Sequence, residues 1–286
     1  MSEVRNTIKL LRFPFSVFLL PISLFSLFYI QPAFNCELVL VLLIWHLFVF
    51  PSSNGYNSYN DNDEGPIGGL ASPPKPTKLL LYISNSMDLI AILLSFLVNI
   101  YFVCFVSLYI ISSRLYSNRK IRLKKYPIIG FFVVFIFQGG WIFCANLFGL
   151  SSIHLLSSTP VILSIIASSF LIATIYPITQ IYQHEADRND GVKTLSMVLG
   201  IKGTFIFSSL MFAIATLLIY FSFHYNNALH NFWLFITVML PSTLFFFVWT
   251  IKSFKSAIHV NFKNVMIMLV MSSLLNNLYF FILLFK

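Results

Sequence analysis

Apolar residues fall in long blocks along the chain, separated by short polar stretches, and this block pattern sets its organisation. Runs near 13–31, 36–53, 127–148, 159–182, 203–223, 231–251 and 264–285 each suit a membrane-crossing helix, which needs about 20 mostly apolar residues. The stretch from Leu79 to Ser113 carries a single charge, Asp88. As one helix it would be about 52 Å long, far more than the ~30 Å hydrocarbon core. Two shorter helices meeting near Asn99 fit instead. The pattern therefore predicts an all-α polytopic membrane bundle of nine transmembrane helices. With no strong short-period repeat and no soluble domain, 1–286 is expected to form one integral-membrane domain.

Composition removes the alternatives. Hydrophobic residues make up 58% of the chain and charged residues only 9%, where soluble domains carry about a quarter. Disorder, a secreted disulfide scaffold and a soluble nucleic-acid binder are excluded. Cys36, Cys104 and Cys144 lie far apart in apolar runs and read as small buried hydrophobes.

The net charge of +9 is placed by topology. With nine spans and a cytoplasmic N-terminus, the inside segments are 1–12, 54–78, 114–126, 183–202 and 252–263. All but Lys286 of the 18 Lys and Arg residues then lie in or beside them, as the positive-inside rule requires. Eight spans would turn Arg114, Arg119, Lys120, Arg122, Lys124 and Lys125 outward. That basic cluster reads as a topological determinant beside anionic lipid headgroups, with no nucleic acid as partner. The basic start resembles a secretion signal, but Ile30-Gln31-Pro32-Ala33-Phe34 offers no small-residue cleavage site, so the first apolar run is kept as a helix. The expected product is a multi-pass membrane protein, of the inner membrane if bacterial, with its site facing the cytoplasm.

Acidic residues are concentrated. Of nine carboxylates, Asp61, Asp63 and Glu64 share one segment and Glu185, Asp187 and Asp190 another, both on the predicted cytoplasmic side. Two such clusters suit hard divalent cations, and Mg2+ combines one or two carboxylates with waters and substrate phosphate. Asn57 and Asp61 are four residues apart and share a helical face, with Asn54 one step back. Gln180, Gln183 and Asp187 form a polar stripe on what should be a continuation of the 159–182 helix, with Arg188 and Lys193 near enough to meet an anion. Gly191 reads as a helix stop and Thr194 as the next cap. The six histidines show no ligand spacing, which argues against zinc.

These residues carry a resemblance. Asn57-Ser58-Tyr59-Asn60-Asp61 matches the first half of one aspartate-rich motif of the UbiA superfamily of intramembrane prenyltransferases. Asp187-Arg188-Asn189-Asp190-Gly191-Val192-Lys193-Thr194-Leu195, followed by Leu199-Gly200, matches the end of the other. The motifs follow the second and sixth spans, as in that nine-helix family. Two departures stand out: Gly65 occupies the last position of the first motif, leaving Asp63 or Glu64 to supply its carboxylate, and Gln180 and Gln183 replace aspartates of the second.

The resemblance implies Mg2+-dependent transfer of a prenyl group from a polyprenyl diphosphate to a lipophilic, aromatic acceptor. Asn57, Asp61, Asp63, Glu64, Gln183, Glu185 and Asp187 would hold Mg2+. Asn54, Asn57, Arg188 and Lys193 would bind the diphosphate, and Asp61, Asp187 and Tyr182 would be catalytic. Tyr56, Tyr59 and Tyr182 are candidates to face an allylic cation. A membrane-embedded terpene cyclase, needing no acceptor, is the alternative within the superfamily. A transporter built around Asp88 or a scaffold without activity lies outside it.

Overall fold

The computed structural model describes residues 2–62 and 64–286; the expected ligand Asp63 lies outside the described residues. Helices α1 (Ser2–Leu11) and α2 (Leu20–Ile30) flank a 3-10 segment, Phe13–Phe18. Then come α3 (Cys36–Asp61), α4 (Lys78–Ser95), α5 (Ile100–Ser117) and α6 (Pro127–Gly149). The chain ends with α7 (Thr159–Ile175), the short α8 (His184–Asn189), α9 (Leu195–Tyr225), α10 (Leu229–Lys255) and α11 (Phe262–Leu284). Among the described residues no strand forms beyond one bridge, Ile67 to Leu70.

Among the described residues eight helices are long and apolar enough to cross a membrane, and counting the bent pair Glu3–Phe18 and Leu20–Ile30 as one span gives nine. The bend of 43° in that pair falls where Pro14 and Pro21 each open a new helical segment, positions at which a missing N–H costs nothing. The 3-10 turns and α2 together rise about 28 Å, enough to cross the core.

The break in the long apolar stretch comes at Asn99. Its side chain accepts from Phe102 N at 2.9 Å, capping α5, and donates to the carbonyls of Phe148 and Gly149. Local capping chemistry thus makes the turn between spans. Helix α3 runs on past the apolar block to Asp61, carrying Asn54 and Asn57 on its last turns.

The expected continuous helix over 159–182 is not formed. Helix α7 stops at Ile175, a 3-10 turn covers Pro177–Gln180, and α8 restarts at His184. Pro177 lacks the donor the helix would need and crowds the preceding turn, although the apolar run continues past it. Gly191, at φ +67°, turns the chain after α8, and Thr194 caps α9 by accepting from Met197 N at 3.4 Å.

Bulky buried residues including Phe25, Trp45, Phe102, Phe143, Phe223, Phe235 and Phe280 fill the centre. Polar groups tie helices together, as TM packing without a hydrophobic drive requires: Trp45 Nε1 donates to Asn146 Oδ1 at 3.1 Å, and Asn146 donates to Ser26. Small residues allow close approach. A Cβ on Gly139 would run into the backbone of Ser169. Cys36 and Cys104 are exposed and Cys144 half-buried, all free thiols, so the expectation of buried cysteines fails. On a bundle wrapped by lipid, the outer surface is itself apolar, and a small hydrophobe gains little by turning inward.

Candidate active site

The polar segments gather at one end of the bundle. Arg12 donates to the carbonyls of Gly68 and Asn54, and Gln183 Nε2 donates to Pro66 O at 2.9 Å. The N-terminal region, the segment after α3 and the segment after α7 are thereby joined. A cavity of about 680 Å3 opens there and falls within the range of small-molecule sites, roughly 300–1,000 Å3.

At its mouth Asp61 is the most constrained acid, with 5% of its side chain exposed. Lys124 Nζ stands 2.5 Å from Asp61 Oδ1 and Arg122 3.5 Å. Asn57 Nδ2 donates to Asp61 Oδ2 at 2.8 Å, while Asn57 Oδ1 accepts from Ser117. The helical spacing of four puts these two side chains together as anticipated, with Asn57 acting as a donor to the carboxylate. Arg122 also pairs with Asp190, so the basic segment after α5 spans the two acidic segments. Hydrogen bonding and charge from Asp190, with Asp61's charge, outweigh burial and push Arg122 above its usual pKa.

The cavity is lined by Asn54, Asn57, Asp61, Tyr182, Gln183 and Asp187 from the sequence candidates. The other described candidates lie outside that lining: Glu64, Glu185, Arg188 and Lys193 are exposed. Of the tyrosines, Tyr182 alone among Tyr56, Tyr59 and Tyr182 lines it. Tyr56 instead lies under the Arg114 guanidinium, 3.9 Å from ring centroid to Cζ. Gln180 is buried, lines the wall, and accepts from Ser196 N at 3.2 Å, fixing the start of α9 to the turn after α7.

Two lining cations escaped sequence reasoning: Arg12 and Lys124. Both sit in segments read as topological charge. The available signal was acid-free basic sequence at 114–126 opposite acid-rich sequence elsewhere, which suggests pairing across the mouth. Below it the wall is uncharged: the aromatic residues Phe50, Tyr109, Tyr116, Phe137, Tyr176 and Phe212 share it with hydroxyl and amide groups such as Ser242, Thr243 and Asn276, and Tyr116 and Tyr176 are joined through their hydroxyls at 3.0 Å. Among the described residues no group of three His, Cys, Asp or Glu side chains could hold a metal by itself.

Comparison with known proteins places this arrangement. The model of a family described as the UbiA prenyltransferase family matches residues 18–284. No curated protein matches the chain. A UbiA homologue from Archaeoglobus fulgidus bound to DMAPP and Mg2+ is 18% identical with a TM-score of 0.71, over 98% of this chain and 99% of that one. The same homologue bound to GPP and Mg2+ is 19% identical with a TM-score of 0.67, over 98% and 100%. A UbiA homologue from Aeropyrum pernix K1 is 16% identical with a TM-score of 0.70, over 95% and 98%. At these identities the likeness is one of fold.

Proposed function

The chain belongs to the UbiA prenyltransferase family, and from that membership we propose that it transfers a prenyl group from a polyprenyl diphosphate to a lipophilic, aromatic acceptor. One observation carries the reading. Among the described residues the charged side chains lining the cavity, Arg12, Asp61, Lys124 and Asp187, all belong to the segments gathered at its mouth, and the wall below is uncharged. An anionic head with a long apolar tail is the ligand whose own polarity follows that gradient. The Archaeoglobus fulgidus homologue binds DMAPP or GPP with Mg2+, ligands of the same shape. The distribution of basic residues supports a mouth on the cytoplasmic side.

The residues also suit Mg2+. Asp61 and Asp187 offer carboxylates and Asn57 and Gln183 amide oxygens, an all-oxygen set. Among the described residues too few acids converge to form a closed protein cage, which suits a cation that completes its shell with water and substrate phosphate. When bound, Mg2+ would neutralise charge on the departing diphosphate. Glu64, Glu185 and Asp63 would serve from the surrounding segments.

The chain's own groups do the rest. Lys124 and Arg12 present cations to the diphosphate oxygens, Arg with its planar fork, while Asn54 and Asn57 donate from α3. Arg188 and Lys193 would draw the anion in from the exposed side. The allylic C–O bond breaks with its electron pair leaving on pyrophosphate. The acceptor then bonds to that carbon and gives up one proton to pyrophosphate or water. Tyr182 and the Tyr116–Tyr176 pair offer ring faces to the passing cation, an interaction of ~0.5–2 kcal/mol per ring. The aliphatic and aromatic groups of the wall limit the water that could capture it.

The test is pyrophosphate release by purified protein in Mg2+ from C10 to C20 prenyl diphosphates, with and without a panel of aromatic acceptors. Acceptor-dependent release is the expected result. Release without acceptor, giving cyclic hydrocarbon, would replace the transferase by a cyclase. No release and no donor binding would remove the function altogether.

A further inference from the structure

Tyr56 stands on the last turns of α3, next to Asn57 and five residues before Asp61, yet it does not line the cavity. Its ring and its hydroxyl are both engaged from the end of α5. The Arg114 guanidinium lies over the ring, Cζ 3.9 Å from the centroid, and Asn118 Nδ2 donates to the hydroxyl at 3.0 Å. Arg114 and Asn118 are four residues apart, with Asn118 N bonded to Arg114 O at 2.8 Å. One helical face therefore presents both groups to a single side chain. Phenylalanine would serve the guanidinium and leave Asn118 without its acceptor. Tyrosine meets both.

Neither group is free to drift. Arg114 donates through Nε to Asp88 Oδ2 at 2.8 Å, and through Nη2 to Asp88 and to Ser84 O. Asp88 is buried and also accepts from Ser52. Separating a buried ion pair is strongly unfavourable, so the guanidinium plane is held in place. Asn118 Oδ1 accepts from Lys120 N at 2.9 Å, which decides the end of the amide that turns toward Tyr56.

Beyond Asn118 runs the basic segment of the mouth. Ser117 donates to Asn57 Oδ1 at 2.8 Å, and Arg119 donates to the carbonyls of Asn60 and Asp61, where a cation suits the end of a helix. Six residues past Asn118, Lys124 reaches Asp61. A continuous chain of contacts thus leads from buried Asp88 to the acid at the mouth.

We propose that Arg114, Tyr56 and Asn118 are positioning residues of the site. The Asp88–Arg114 pair orients Tyr56, and Tyr56 locks the end of α3 to the basic segment, so that Asp61 and Lys124 meet a diphosphate in a fixed arrangement. The proposal deepens the transferase reading given above and rests on it. None of the three residues lines the cavity, so their effect on a ligand passes through the groups they hold.

Two measurements test the relay. Tyr56→Phe keeps the ring and removes the acceptor, and Asn118→Ala removes the donor. Hydrogen exchange of the ligand-free protein in detergent, read by mass spectrometry, should be faster over 117–125 in each variant, with α9, α10 and α11 unchanged. Calorimetric titration with geranyl diphosphate in Mg2+ should show about tenfold weaker binding in each, and no further loss when the two are combined, because both break one bond. Asp88→Leu combined with Arg114→Met is the control for stability: its melting temperature should exceed that of Asp88→Ala while the weak binding persists. Unchanged exchange, wild-type affinity in both single variants, or additive losses would overturn the relay. Wild-type affinity in the Asp88→Leu, Arg114→Met variant would remove Arg114 from it. Failure of geranyl diphosphate to bind the wild-type protein would overturn the donor reading, and the exchange rates would still decide whether Tyr56 holds the segment.

Discussion

Asp61 is held by Lys124, Arg122 and Asn57 at once, so its position is fixed from its own helix and from the basic segment after α5. Asp187 lines the same mouth from α8. Asn at either position keeps the shape and removes the charge. Asp61→Asn and Asp187→Asn should each lower pyrophosphate release by about 100-fold or more, the scale of losing a transition-state charge contact. Asp187→Asn should keep a melting temperature close to wild type, whereas Asp61→Asn should lower it, because Lys124 and Arg122 lose their carboxylate partner. Retained turnover in both single variants would overturn the site. His184 makes a pH prediction. Burial, and then the charge of Arg188, lower its pKa from 6.5, and it is hydrogen-bonded to Ser196 at 2.8 Å. The unfolded chain therefore takes up this proton more readily than the folded one. Its contribution to stability is complete above about pH 6.5 and is lost as pH falls below that. His184→Gln should flatten the acid side of a melting-temperature profile.

The elements were legible to the extent that their signals are local. The break at Asn99 was readable because a cap needs only the residue and the helix after it. The end of α7 was not, because the hydrophobic pattern continues through Pro177 while the backbone cannot. Close helix packing is another feature that patterning conceals. Gly139 lets α6 approach the backbone of Ser169 on α7, where Gly140 N donates to Ser169 Oγ at 2.9 Å. A side chain there must push backbone, not a flexible tip. Gly139→Val should destabilise the bundle by about 1–3 kcal/mol or more, measured as loss of melting temperature and of monodisperse protein in detergent.

At the scale of the whole molecule, Asp88 shows how a buried charge is accommodated. It pairs with Arg114 and accepts from Ser52, joining α3, α4 and α5 behind the site. This pairing weighs against the transporter reading, which needed an acid available to a permeant ion. Asp88→Ala should cost about 3–5 kcal/mol by stranding the guanidinium, whereas Asp88→Leu combined with Arg114→Met should recover much of that. A double variant no more stable than Asp88→Ala would refute the pairing as the cause. The apolar blocks that become helices, the crowding of charge into the segments between them and the two acidic segments were legible in the sequence alone, because hydrophobic length and charge placement are properties of the chain read in order. Which charges meet was decided by tertiary structure: Arg122 finds Asp190 and Lys124 finds Asp61 across some 60 positions of sequence, while Glu185, Arg188 and Lys193, inside the most recognisable motif, lie exposed outside the cavity lining. Convergence of that kind depends on how helices pack and on the turn at Pro177, and neither is written in the spacing of any one segment.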